Sequence, residues 1–414
     1  MKSVAAACIV MAQLIAPSAF AQMQAMSTPS PVLVQSKSQA SQMASPYSHF
    51  TPDPSRTTRL DFTFWDEVLK ESVLYTGPSL RERASRPYPI VGSRLTRGHT
   101  SHYRLEGNKV LFEGFDDDFT EMLGHYVEDL VAIANRVDLT SLPRDEQLAY
   151  WLSLHNVLVV HAIAENYPLS SPSRIKGADG LRFHDTKRVT IDGVVLSLRN
   201  IRQDIVYANW ANPLVIYGFF HGDIGSPSLQ RKAYAGNTVW DTLRFSGTEF
   251  ANSLRGFIVY GDEPKISRHY DDAAPYFFAV DFNADVRRHM NSLLTPEVKT
   301  ELADATAVVK IARYEADVAD MTKGTNDRIQ LGNVYSATSS GTTKVPTVLA
   351  RAVNETGQKM TKIRRRGLFS TVTIEDIQTV PQEDRLSSGL PIEMELPDPS
   401  QNTGSSSDSD EPSD

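Results

Sequence analysis

The chain has 414 residues, of which 41% are hydrophobic and 22% are charged, and its formal net charge is −8 at pH 7. This length and composition can bury a large core, and the acidic balance argues against nucleic acid and anionic membranes as partners, since both favour basic faces. The single cysteine, Cys8, lies in a segment that we expect to be removed, which excludes disulfides, thiolate metal sites and a cysteine nucleophile.

The N-terminus has the pattern of a secretory signal peptide. Lys2 supplies a positive charge, residues 4–15 are apolar, and Ala19-Phe20-Ala21 forms a small-x-small cleavage site. The apolar stretch is shorter than the ~20 residues that a membrane-spanning helix needs. We therefore expect cleavage after Ala21 and a periplasmic or secreted protein without an integral membrane segment in the mature chain. A buried N-terminal helix is the alternative.

Composition then divides the chain into segments. Residues 22–56, rich in Ser, Pro, Gln, Ala and Met, are predicted to be a flexible lead-in. A single α/β domain is expected at 57–320, followed by a weakly ordered extension at 321–382 and a disordered acidic tail at 383–414. The extension contains a basic cluster, KIRRR at 362–366, which we interpret as a solvated patch.

In the first half of the domain, residues 103–112 alternate about Glu106-Gly107-Asn108, which indicates a hairpin. Helical spacing follows at 116–136, where acidic residues begin the helix. A second helix is predicted from about 144 to 166, between Pro143 and Pro168. Its stretch 149–164 is apolar nearly all round and should be buried at the centre.

In the second half, residues 189–198 form two β-rich runs about Asp192-Gly193, the strongest hairpin signal in the chain. A helix through Ile201 and Ile205 should follow. The apolar run 213–220 predicts a buried strand, 239–254 a helix, and 256–260 and 308–312 further strands. The fold class expected is therefore α+β, or mixed α/β: one domain with a central buried helix, β-hairpins and a mixed sheet.

Three blocks of this domain resemble the domain of unknown function 547 family over about residues 115–282. They are QLAYWLSLHN at 147–156 followed by Tyr167-Pro168, the hairpin IDG at 191–193 with LSL at 196–198, and HGDIGSPSL at 221–229. Where many relatives carry cysteines, this chain has His221 and Ser226, so thiol chemistry is excluded here. The resemblance implies a bacterial exported member, an architecture and the location of a site. It does not imply a reaction.

The central helix carries polar residues that burial would make costly. Ser153, His155, Asn156 and His161 each need a hydrogen-bond partner, because an unsatisfied buried polar group costs about 1–3 kcal/mol. Asn156 and His155 could bridge neighbouring backbone segments. Alternatively, the helix of Trp151 lines a cleft that faces the loop 222–228. Asn156 would then orient a substrate carbonyl and His155 would act as a base.

The loop opposite that helix contains small residues. Gly222 and Gly225 permit positive φ, and successive amides in such a turn can form an anion-binding nest. Ser226 would lie beside these amides, with His221, His155 or His161 as a base. However, no G-x-S-x-G motif is present, and Pro227 lacks the amide that commonly follows a nucleophile. We therefore expect the loop 222–228 to be a tight structural turn.

Three functions remain open at this point. The first is a binding protein whose cleft takes a small polar or peptide-like ligand. The second is a cysteine-independent hydrolase or acyl-transfer enzyme that uses Ser226 and a histidine. The third is a non-catalytic structural or interaction module. We expect no cofactor and no metal, since HExxH is absent and His99-x-x-His102 falls in a loop-like stretch.

Overall fold

A computed structural model describes residues 47, 59–87, 98–178, 180–324 and 347–367. These residues fall within one compact unit. The predicted signal peptide and acidic tail, and nearly all of the predicted lead-in, lie outside the described residues. None of the described helices is both long and apolar enough to cross a membrane.

Helices dominate the described part of the chain. The α-helices in chain order are α1 (Thr63–Ser72), α2 (Asp117–Arg136), α3 (Arg144–Glu165), α4 (Val239–Ala251), α5 (Arg268–Asp272), α6 (Ala274–Phe277), α7 (Phe282–Asn291), α8 (Pro296–Asp304) and α9 (Thr347–Arg365). A wider π-helix occupies Asn200–Tyr207. Short 3-10 turns occupy Phe112–Gly114, Leu139–Ser141, Pro172–Arg174 and Pro213–Gly218.

The strands are short and form small sheets. They are β1 (Val73–Leu74), β2 (Lys109–Val110), β3 (Lys187–Ile191), β4 (Val194–Ser197), β5 (Phe257–Tyr260), β6 (Glu263–Ile266) and β7 (Lys310–Ile311). β1 pairs with β2 and β3 with β4, both antiparallel. β5 and β6 are antiparallel and β6 and β7 are parallel, so the third sheet is mixed. The predicted α+β domain is confirmed.

α3 is the centre of the fold. It is buried on every face, and α2, α4 and the π-helix all pack against it. It begins directly after its N-cap residue Pro143, and Asp145 and Glu146 lie in its first turn, where carboxylates complement the helix dipole. The predicted central buried helix is confirmed, as is the preceding helix α2, which Asp116 caps through the amide of Phe119.

The hairpin β3–β4 is also confirmed. Ile191 pairs with Val194 across a two-residue turn in which Asp192 has φ +48° and Gly193 has φ +76°. Both central residues therefore adopt the left-handed conformation that two-residue hairpin turns favour. The helix predicted after the hairpin is present as the π-helix.

Two predictions were wrong. Residues 213–220 are not a strand, because Pro213–Gly218 form a 3-10 turn that the side chain of Asn212 caps at the amide of Leu214. A continuous apolar run does not distinguish a buried strand from a buried helical turn. Residues 103–112 are not a hairpin, because β2 pairs instead with β1, which is distant in sequence.

α9 lies within the region predicted to be weakly ordered, and it packs on the domain. Ile363 is fully buried, and its Cδ1 would lie 2.7 Å from a Cβ added at Gly77. Glu355 makes a bidentate ion pair with Arg104, with N–O distances of 2.8 and 3.0 Å. Lys362, Arg364 and Arg365 of the KIRRR cluster lie in the last turn of this helix, where basic side chains complement the helix dipole.

Candidate functional site

Five separate segments bring four histidines and one arginine together. His155 comes from α3, His184 from the turn before β3, Arg202 from the π-helix, His221 from the loop after the 3-10 turn and His269 from α5. The His221 ring centroid lies 4.6 Å from that of His184, 4.3 Å from that of His269 and 6.1 Å from that of His155. We call these five side chains the histidine cluster.

Arg202 determines where the protons of two of these histidines lie. Its Nη1 is 3.0 Å from Nε2 of His155 and 3.3 Å from Nδ1 of His184. A guanidinium can only donate, so both imidazole nitrogens are acceptors and each ring carries its proton on the other nitrogen. In His155 that nitrogen is Nδ1, which lies 3.2 Å from Oδ1 of Asn156. In His184 it is Nε2, which is then available as a donor.

Burial keeps the imidazoles of the cluster uncharged. Desolvation lowers the pKa of His155, His184, His221 and His269 well below 6.5, and the charge of Arg202 lowers each pKa further. At neutral pH the cluster is therefore one guanidinium surrounded by neutral rings.

Arg202 is a buried cation without an adjacent counter-ion. It is 5% exposed, and none of the described acidic side chains makes an ion pair with it within 4.0 Å. The nearby acids are engaged elsewhere, Asp272 with Arg268 and Asp185 with Arg199. Burying a charge without a counter-ion is costly; here the guanidinium donates to His155, His184 and the carbonyl of Leu198.

A chain of hydrogen bonds leads from the cluster to a neighbouring cleft. The hydroxyl of Tyr314 donates to Oδ1 of Asp223 at 2.6 Å, and Nε2 of His269 lies 3.2 Å from the same hydroxyl oxygen. The guanidinium carbon of Arg268 lies 5.0 Å from the centre of the Tyr314 ring. Tyr314, Arg268 and Gly225 line the cleft, whose other walls include Arg255, Arg313 and Glu315. Of the loop 222–228, Gly225 is in the lining of this small cleft.

The central helix and the loop 222–228 are in direct contact. Nδ2 of Asn156 donates to the carbonyl of Gly218 at 2.9 Å, and its Oδ1 accepts from the amide of Phe220 at 3.0 Å. Gly222 has φ +90°, and a Cβ there would lie 2.4 Å from Cδ1 of Ile163. Trp151 is fully buried. Asn156 is thus buried where α3 meets the segment that leads into the loop, whereas Gly225 lies in the lining of the cleft.

The hydroxyl of Ser226 takes part in the turn. It is fully buried, donates to the carbonyl of Asp223 at 2.8 Å and accepts from the backbone amide of His221 at 3.2 Å. Among the described residues no imidazole nitrogen is bonded to it. The amides of Ile224 and Gly225 donate to the carbonyls of Asp317 and Glu315, so they are already used within the fold. This arrangement is typical of a structural turn.

The other histidines that the sequence drew attention to lie apart from the cluster. His161 is half-buried against Gly124, and its Nε2 lies 3.9 Å from Glu165. His99 bonds to Asp320, whereas His102 bonds to the carbonyl of Ala84. In the described part of the chain, no group of three or more His, Cys, Asp or Glu side chains could hold a metal ion.

Sequence reasoning missed Arg202, Asp223, His269 and Tyr314, and gave His184 no role. One signal was available in the sequence: Arg202 directly follows the apolar Ile201 in a segment of helical spacing. The structure shows its side chain to be 5% exposed. His269 and Tyr314 carried no such signal, since only the tertiary fold brings them to His221.

Comparison with known proteins supports one family domain. Residues 139–251 match the family described as "Protein of unknown function, DUF547". The match includes α3, the hairpin, Arg202, the loop 222–228 and α4, whereas His269 and Tyr314 lie beyond it. No curated protein and no solved structure matches the chain.

Proposed function

We propose that the domain binds a small polar, peptide-like ligand at the histidine cluster, and that a carboxylate of this ligand pairs with Arg202. The observation that carries the proposal is the buried guanidinium without an adjacent acidic partner in the described structure. A planar carboxylate matches the geometry of guanidinium donors. Turnover is not part of the proposal.

The neutral imidazoles support the binding of an anion. With Nδ1 of His184 accepting from Arg202, the Nε2–H group of His184 is a donor next to the guanidinium. His184 is half-buried whereas the other three rings are buried, so the cluster is most open at this side chain. The ring nitrogens of His221 make no hydrogen bond within the described residues, which leaves them for a ligand.

The neighbouring cleft has room for about one water molecule, about 10 Å³, so it contributes positive charge to the proposed site and little volume. Arg268 and Arg313 are exposed at its rim, and Glu315 is its acidic wall residue. Positive side chains around a concave surface raise the local concentration of anions and speed their association.

The test is a binding experiment on the mature protein with Arg202→Met and a matched control, Arg199→Met. Arg199 lies three residues earlier, is exposed and is ion-paired with Asp185, so its loss leaves the cluster intact. Calorimetry and thermal shift would be measured with short peptides, amino acids, their C-terminal amides and inorganic phosphate.

We expect free carboxylates to bind to the wild type and to Arg199→Met, and binding to fall at least about tenfold in Arg202→Met, which corresponds to about 1.4 kcal/mol. Replacing the carboxylate of the ligand by an amide should weaken its binding to the wild type by a similar factor. Equal affinity of the wild type and a folded Arg202→Met variant would refute the proposal. A preference for phosphate over every carboxylate would refute the ligand class.

We also propose that the chain is exported through its N-terminal segment. Support comes from the order of Lys2, the apolar stretch 4–15 and Ala19-Phe20-Ala21. Expression of the full chain in a bacterium, with fractionation and N-terminal sequencing, should recover protein that begins at Gln22 outside the cytoplasm. Recovery of an uncleaved cytoplasmic chain would contradict this proposal.

A further inference from the structure

His269 is connected to a buried carboxyl group through one hydroxyl. Tyr314 Oη lies 3.2 Å from Nε2 of His269 and 2.6 Å from Oδ1 of Asp223. Asp223 is 7% exposed and His269 is 4% exposed. A phenol is both donor and acceptor, so its single proton points either at the carboxyl or at the imidazole.

Each direction fixes the tautomer of His269. When Asp223 is ionised, Tyr314 donates to the carboxylate, and Nε2 of His269 must carry a proton that it donates to Tyr314. When Asp223 is protonated, its O–H can donate to Tyr314, which then donates to Nε2 of His269. The imidazole proton then lies on Nδ1. In this change Nε2 of His269 passes its proton to Tyr314, Tyr314 passes its own proton to Asp223, and Nδ1 of His269 takes up one proton from water. The total number of protons therefore rises by one.

We propose that Asp223 and Tyr314 are positioning residues that set the tautomer of His269, and that the tautomer changes when Asp223 gains or loses its proton. The ring centroids of His269 and His221, both in the histidine cluster, lie 4.3 Å apart. This relay of Asp223, Tyr314 and His269 thus determines which nitrogen of His269 donates and which accepts a hydrogen bond beside the ligand site. The proposal concerns the site of the proposed function and rests on it for the ligand. The change of tautomer itself takes place in the ligand-free protein.

The charged and titratable groups around the relay place the change near neutral pH. Desolvation raises the pKa of Asp223 to about 7, against the lowering effects of Tyr314 and Arg268. His269 itself stays neutral, because burial and the charges of Arg202, Arg268 and Arg255 lower its pKa well below 6.5. The groups that face the relay from neighbouring elements are Arg268 and Asp272 of α5, Arg255 after α4, Arg202 of the π-helix, and His221 and Ser226 of the loop.

The experiment is a pH titration by long-range ¹H–¹⁵N correlation spectroscopy of the full-length protein labelled in its histidines, without ligand. His269→Gln assigns the signals of His269. Below pH 6 we expect the proton on Nδ1 and above pH 8 on Nε2, with a midpoint near 7. In Tyr314→Phe, which keeps the ring under Arg268, the pH dependence should vanish. Asp223→Asn should hold one tautomer throughout.

Tyr276→Phe is the matched control, since Tyr276 is exposed on α6, and it should leave the exchange of tautomers unchanged. A single His269 tautomer from pH 5.5 to 8.5 in the wild type would overturn the proposal, as would a tautomer exchange that survives in folded Tyr314→Phe. Because no ligand is present, these results are independent of whether carboxylates bind. If carboxylates do not bind to the wild type but His269 still changes its tautomer with pH, only the proposed function is refuted.

Discussion

Asn156 donates from Nδ2 to the carbonyl oxygen of Gly218 at 2.9 Å. The same side chain accepts from the amide of Phe220 two residues later, so a single amide satisfies two backbone groups of the segment that leads to His221. In this way α3 holds the histidine cluster through the backbone of that segment as well as through its own His155.

We expect Asn156→Ala to lower the free energy of unfolding by about 2–4 kcal/mol, because it leaves a buried carbonyl and a buried amide unpaired. Urea unfolding would measure the change. Asn166→Ala is a suitable control: its Nδ2 makes one bond, to Ala162 O at the end of the same helix, and is only partly buried. A loss in Asn156→Ala no larger than in Asn166→Ala would show that the bridge does not stabilise the fold.

We expect Gly222→Ala to destabilise the protein for two separable reasons. Its φ of +90° strains any L-residue, by about 1–2 kcal/mol, and its Cβ would overlap Ile163, which adds about 1–3 kcal/mol. Gly261→Ala carries only the first cost, since Gly261 has φ +67° and nothing lies within 4 Å of its Cβ position. Thermal unfolding of both variants separates the two contributions, and equal losses would contradict the close packing of loop on helix.

We expect Glu113→Gln to weaken the pH dependence of stability. Desolvation and the neighbouring Asp320 raise the pKa of Glu113 to about 8, above the usual 4.5. A raised pKa contributes stability that is complete below 4.5 and is lost as the pH rises through 8. The wild type should therefore lose on the order of 4 kcal/mol more than Glu113→Gln between pH 5 and pH 9. His99 also has a raised pKa and the same sign, but it is present in both proteins. Parallel stability curves would contradict the raised pKa of Glu113.

We expect Ser226 to resist a fluorophosphonate probe that labels activated serines. Its hydroxyl is fully buried, and its bonds run to backbone groups of Asp223 and His221. Ser226→Ala should instead cost about 1–2 kcal/mol of stability, because the amide of His221 loses its acceptor. Mass spectrometry would detect a label on Ser226, and stoichiometric labelling would favour the hydrolase hypothesis over the structural turn.

The local sequence pattern predicted an element correctly wherever its hydrophobic periodicity fitted only one type of secondary structure. The apolar residues of α3 and the Asp192-Gly193 turn predicted their elements correctly, because helical propensity and left-handed turn residues act within a few residues. The run 213–220 was misassigned because its hydrophobicity reports burial and leaves the backbone conformation open. α9 was not predicted because its contacts with the domain, such as the ion pair of Glu355 with Arg104, join residues 251 apart in the sequence.

The sequence by itself determined the α+β class and the buried central helix, since both follow from local pattern. Only the tertiary structure decided that His184, Arg202 and His269 surround His221, and that Arg202 is left without an adjacent acidic partner. Whether a buried charge has a counter-ion depends on side chains that distant segments bring into one desolvated volume. A short stretch of the sequence does not show which side chains these are.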